Sequence, residues 1–377
     1  MMNTPMHSKK TQVSSLIMGI TGFFAGLFTL IPEQIVATEF PYTYRSSYYL
    51  GRGDTGIAEA ENEDGIFYNP GAIGFGKSLY KKTVVPSLGL QFSTSIKDIV
   101  TKIGLQDEES TDVLRDALGV PQHAGLNLFT GVILKRVAVG AYATSTNTIL
   151  IAKDPDEGAI EKASIESSST YGMAFTVSEA LNDMHGVGLT TRIVTKSQAS
   201  ASFLATDASA VSSNDELIMT GSGYAFDLGY LFKYKGPVDM NFGLTIQNIG
   251  DTTYTPNTET SLSESERPLK KDPQMVNFGY MLEKTARLSK FKFLFDYYDL
   301  LNNTGQSTYK KIHMGGELSL NGYLGLTTGL NQGYPTVGTY LDIRLLRIDA
   351  GMYSEELGDQ PGERGDRRYY FRLLTGF

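Results

Sequence analysis

The chain has 377 residues, a net charge of −8 and no cysteine. The acidic balance argues against a general nucleic-acid binder, and the missing thiols exclude disulfides, Cys-based metal sites and a lipid-modified N-terminal Cys. Its 40 Gly, 22 Tyr and 19 Phe fit many strands joined by tight turns.

Residues 1–37 read as a secretory signal. Lys9 and Lys10 supply the positive charge, Leu16 to Ile31 carry none, and Ala37 ends a small-residue stretch suited to cleavage. The apolar run falls short of the roughly 20 residues that a spanning helix needs. No later segment approaches that length without charge, which leaves strands as the means of crossing a membrane.

Residues 38–79 come next and form no strand pattern. Gly51-Arg52-Gly53-Asp54-Thr55-Gly56 leads into an acidic stretch, Glu61 to Asp64, and then Phe67-Tyr68-Asn69-Pro70-Gly71-Ala72-Ile73. Pro70 has no N–H and stops regular structure, and Asn69 can close a turn with its side chain. Polar backbone of this kind would be tolerated inside a barrel lumen, where water or polar wall groups can satisfy it.

Residues 80–377 alternate. Tyr224, Phe226 and Leu228 oppose Ala225, Asp227 and Gly229; Phe291, Phe293 and Phe295 oppose Lys292 and Asp296; Leu341, Ile343 and Leu345 oppose Asp342 and Arg344. This period of two predicts about fourteen strands near 80–93, 125–135, 137–150, 165–178, 186–196, 219–233, 238–249, 273–283, 288–300, 309–320, 322–331, 336–345, 347–354 and 368–377. Short turns at Lys135-Arg136, Lys235-Gly236-Pro237, Asn321-Gly322 and Leu346-Arg347 belong on one side of the sheet. Long loops near 94–124, 151–164, 197–218, 250–272, 301–308 and 355–367 belong on the other. That division is the pattern of a transmembrane antiparallel β-barrel in a Gram-negative outer membrane.

Within 94–124, Ile96, Ile99 and Val100, then Val113, Leu114 and Leu118, recur at helical spacing. They predict two short amphipathic helices in the first outer loop, candidates for an apolar ligand-binding mouth. Asp227, Asp296, Asp342, Arg344 and Arg372 are expected on the lumen face, where they can pair with each other and with whatever fills the lumen. Arg372 facing lipid would cost about 2–4 kcal/mol at mid-membrane. The last segment alternates Tyr369, Phe371 and Leu373 with Tyr370, Arg372 and Leu374, and ends on Phe377. His7, His123, His185 and His313 lie far apart, with no metal spacing, and no nucleophile elbow occurs. Neither an enzyme nor a cofactor is expected.

Three pieces carry a family resemblance: residues 46–76; Phe226 to Gly229 followed by Gly243 to Gly250; and Tyr353 to Gly358 followed by Asp366 to Tyr369. Together they resemble the FadL superfamily, which includes long-chain fatty-acid transporters and the related PorV-type barrels of a secretion system. The resemblance implies a fourteen-stranded barrel plugged by its N-terminal hatch, with Phe67, Tyr68, Asn69, Pro70 and Gly71 at the gate. It implies an Asn-Pro-Ala motif there; Asn69-Pro70 match and Gly71 departs from Ala. It also implies uptake of hydrophobic small molecules such as fatty acids across the outer membrane, with membrane lipid as the surroundings. The alternative it implies is a non-transporting barrel that docks a protein partner in secretion or surface assembly.

Overall fold

The computed structural model describes residues 39–60, 63–76, 80–95, 120–153, 161–204, 218–257, 269–343, 345–358 and 360–376. The expected signal, the six apolar residues Ile96, Ile99, Val100, Val113, Leu114 and Leu118 of the expected loop helices, Arg344 and Phe377 lie outside these residues.

Three one-turn helices come first: α1 (Ser47–Leu50), α2 (Gly65–Tyr68) and α3 (Pro70–Ile73). The strands β1 (Tyr80–Ser93), β2 (Gln122–Leu134), β3 (Val137–Lys153), β4 (Glu161–Ala180), β5 (His185–Leu204), β6 (Ile218–Tyr234) and β7 (Asp239–Gln247) then run up and down. A two-residue β8 (Thr255–Pro256) pairs with β6 at Gly221 and Ser222, beyond the end of β7. After it come β9 (Met275–Thr285), β10 (Ser289–Tyr297), β11 (Ile312–Leu320) and β12 (Leu324–Asn331). The last three are β13 (Tyr334–Asp342), β14 (Leu346–Glu356) and β15 (Gly365–Gly376). Every neighbour is antiparallel, β7 pairs with β9, and β15 pairs with β1, so fourteen strands close the sheet and leave no edge.

The alternation decides which face is which. On β4, Tyr171, Met173, Phe175 and Val177 are about half exposed, whereas Ala174, Thr176 and Ser178 are buried. On β15, Tyr369 and Phe371 point out and Tyr370, Arg372 and Leu374 point in. An apolar outer band of this kind has no stable place in water and does in a bilayer. At Asn321-Gly322 both residues take positive φ, 52° and 75°, as a two-residue hairpin turn requires.

Two sets of expected bounds are corrected. The turn placed at Leu346-Arg347 is not there: both residues open β14, and β13 ends at Asp342. The described ends of the loops placed at 151–164 and 197–218, residues 151–153, 161–164, 197–204 and 218, are strand: β3 has 17 residues, β4 and β5 have 20 each, and β6 has 17. A tilted strand crosses the hydrocarbon in about 9–11 residues, so these four rise well past the lipid. Beyond it neither face meets lipid, and Ser and Thr occupy both, which erases the alternation that marks a strand in sequence.

Candidate functional site

The described part of 39–76 fills the lumen. Asn69 sets the kink: its Oδ1 accepts from Gly71 N–H at 3.0 Å, and Pro70 stands at the first position of α3. Asn69 Nδ2 donates to the carbonyls of Ile57 (2.8 Å) and Tyr230 (3.1 Å), tying the hatch to itself and to β6. Gly71 fits because the wall opposite is glycine too. A Cβ on Gly71 would meet the carbonyl oxygens of Gly229 and Gly186 at 2.8 and 2.9 Å. The Ala that the resemblance implies does not fit this wall without movement. Tyr68 donates its hydroxyl to Asp54 Oδ1 at 2.8 Å. Phe67 stacks on Tyr44 with ring centroids 4.2 Å apart and meets the edges of Tyr142 and Phe129.

Charge fastens the far side of the hatch. Arg45 bonds Asp54 Oδ2 (2.7 Å), Glu355 Oε2 (2.6 Å) and Asn331 Oδ1 (3.0 Å). Arg52 reaches Glu317 on β11 at 2.5 Å and also pairs with Glu59, which is shared with Lys292 of β10. Arg372 Nη2 donates to Glu63 Oε1 at 2.8 Å. Asp296 accepts the N–H groups of Gly56 (2.7 Å) and Ile57 (3.0 Å). Breaking one member of a buried pair leaves an uncompensated charge and costs about 3–5 kcal/mol. On this side the hatch is held fast.

The remaining two expected lumen charges pair within the wall. Asp227 takes Arg192 through both oxygens, at 2.8 and 3.0 Å, and Arg192 also donates to Asn248. Asp342 lies at one end of the lumen, 3.4 Å from Arg347. Outside the strands, Lys271 and the Gln274 N–H hold the Asp251 carboxyl below its usual range. Arg45, Arg52, Glu355 and Arg192 were missed from sequence. The last two stand at strand positions where a period of two could have placed them; the two hatch arginines carry no such signal.

Two cavities flank the hatch. The outer one has a volume of 520 Å³ and is bounded by Phe40, Tyr42, Tyr44 and the upper parts of β3, β4 and β5. The other, 610 Å³, lies by the short turns and is lined by Tyr48, Tyr49, Phe75 and charged groups including Lys235, Asp239 and Glu283. Both volumes suit small-molecule sites. On the β2–β4 side the hatch meets the wall through an apolar cluster: Tyr44, Tyr49, Phe67, Phe129, Tyr142 and Ala174 are among its members. Ile133 and Ala138 extend it toward the turn that joins β2 to β3.

No family model and no curated protein matches the sequence. Solved structures do match. A Pseudomonas aeruginosa FadL homologue is 12% identical with a TM-score of 0.50, over 91% of this chain and 99% of that one. The Pseudomonas putida toluene transporter TodX is 9% identical with a TM-score of 0.47, over 91% and 99%. The Ralstonia pickettii toluene transporter TbuX is 9% identical with a TM-score of 0.47, over 87% and 96%. The chain has a FadL-like fold, a closed antiparallel barrel of fourteen strands with short helices before the first strand. With its apolar outer band, that fold places it in a bacterial outer membrane.

Proposed function

We propose that the protein passes hydrophobic small molecules, those with long alkyl chains included, across the outer membrane, and that the hatch gates the passage. One observation carries this reading: a single apolar cluster joins Tyr44, which lines the outer cavity, to Tyr49, which lines the inner one. The hatch is bonded ionically toward β10, β11, β14 and β15 but meets the β2–β4 wall largely through rings and methyls. Separating rings from a wall exposes apolar surface that an apolar solute re-covers, at about 25 cal/mol per Å². Parting the ion pairs offers no such compensation. The seam between hatch and β2–β4 is therefore the path of least cost for a greasy molecule.

The test puts a charge in that seam. A Phe67→Asp variant, reconstituted in liposomes, is expected to take up a fluorescent long-chain probe about tenfold more slowly than the parent chain. Its barrel is monitored by gel mobility before and after heating. Parental uptake by a folded variant would refute the seam as the route.

A second reading, a docking platform for a surface protein, draws on β3–β6. Beyond the lipid, Ile149 and Ile218 are exposed on strand positions where a solvated wall would carry polar groups. Loss of a cross-linked surface partner from Ile149→Lys cells with uptake intact would favour it.

A further inference from the structure

The outer cavity does not look like a greasy pocket. Its tall wall is a grid of neutral hydrogen-bonding groups. Thr144 of β3 pairs in register with Thr170 of β4, and Thr146 with Ser168, which in turn pairs with Gln198 of β5. All five line the cavity. Adjacent strands place such side chains roughly 5 Å apart, and alternate residues along one strand roughly 7 Å apart. Gln198 Oε1 and Thr43 Oγ1 are buried there without a hydrogen-bond partner among the described residues. An unsatisfied buried polar atom is costly unless something fills the need.

The charges around the same cavity are already committed. Among the described residues, each basic side chain lining it faces a carboxylate. Arg45 has Asp54 and Glu355, Lys196 has Asp272 at 2.6 Å, Lys270 has Glu166 at 3.9 Å, and Lys271 has Asp251 at 2.6 Å. An incoming carboxylate or phosphate would have to compete with these carboxylates for each cation, whereas a neutral head would not. At the base of the cavity stand the rings of Phe40, Tyr42 and Tyr44, and Tyr44 opens the seam.

We infer that the outer cavity selects amphipathic ligands whose head is uncharged and hydroxyl-bearing, such as a long-chain alcohol or an alkyl glycoside, over the carboxylate of the same chain. This inference rests on the seam as the site of the tail. The hydroxyl grid takes the head, toward which Gln198 and Thr43 can turn their unengaged oxygens. The tail lies on Tyr44 and Phe67.

The experiment compares three probes of equal chain length, decyl glucoside, decanol and decanoate, each below its micelle concentration at pH 8. Binding is measured by calorimetry on the full chain in lipid nanodiscs, because many detergents would occupy the cavity. The neutral heads are expected to bind about tenfold more tightly than decanoate. A Thr146→Val, Ser168→Ala double variant should lose that preference, by weakening the neutral probes alone. Tighter binding of the glucoside points to a saccharide head, and tighter binding of decanol to a single hydroxyl; both support the inference. Decanoate binding as well as or better than the neutral probes would overturn the head assignment and leave the conduit standing. Failure of all three to bind would overturn both.

Discussion

At residue 71 the protein gives up a methyl group to let two backbones touch. Gly71 of the hatch lies against Gly186 and Gly229 of the wall, and Asn69 and Pro70 fix the angle at which it arrives. Overpacking of this kind costs about 1–3 kcal/mol where backbone must give way. A Gly71→Ala variant should therefore lose its heat-resistant fast-migrating form at a lower temperature than the parent chain. An unchanged midpoint would show that hatch and wall are not so closely fitted. The motif's Asn-Pro pair is visible in the sequence. The reason for glycine after it is not, because its neighbours come from strands more than a hundred residues away. The same holds for Arg45 and Glu355, whose ion pair spans 310 positions. Lumen charges such as Asp296 and Arg372 were legible, since a charge within an aromatic period-two strand has one tolerable side.

The strands divide by what surrounds them. Where lipid touches one face, the contrast between faces is large, and β7, β11 and β12 could be placed closely from sequence. Where β3 to β6 leave the membrane, Ser145 bonds Ser169, Ser167 bonds Asn147 and Ser197 bonds Thr220, hydroxyl to hydroxyl or amide across the strands. Those pairs hold the sheet together without any difference between its faces, so the expected strands stop short of the true ends of β3, at Lys153, and β5, at Leu204, and Ser197 falls in an expected loop. The boundary can be mapped, and a cysteine-free chain makes the mapping clean. A cysteine introduced at Asn147 should react with a membrane-impermeant maleimide on intact cells. One introduced at Met173 should not, because hydrocarbon covers it. Equal protection at both sites would mean that the wall stops at the lipid.

The described residues form a closed sheet built round a fitted core, the described part of 39–76. A sheet of this size holds an interior wide enough to leak unless something fills it, and here the filling is ion-paired on one side and largely apolar on the other. The bonded side explains how the hatch stays in place, and in the proposed function the greasy side is where an apolar molecule passes without disturbing the ion pairs. Removing residues 46–76 takes away most of both, leaving Tyr44 and Arg45. The most direct measurement is conductance in planar bilayers of the parent chain and of that deletion. The account predicts that the parent is nearly silent and that the deletion, refolded to a barrel, conducts small ions without selectivity. Equal conductance by the two proteins would contradict it.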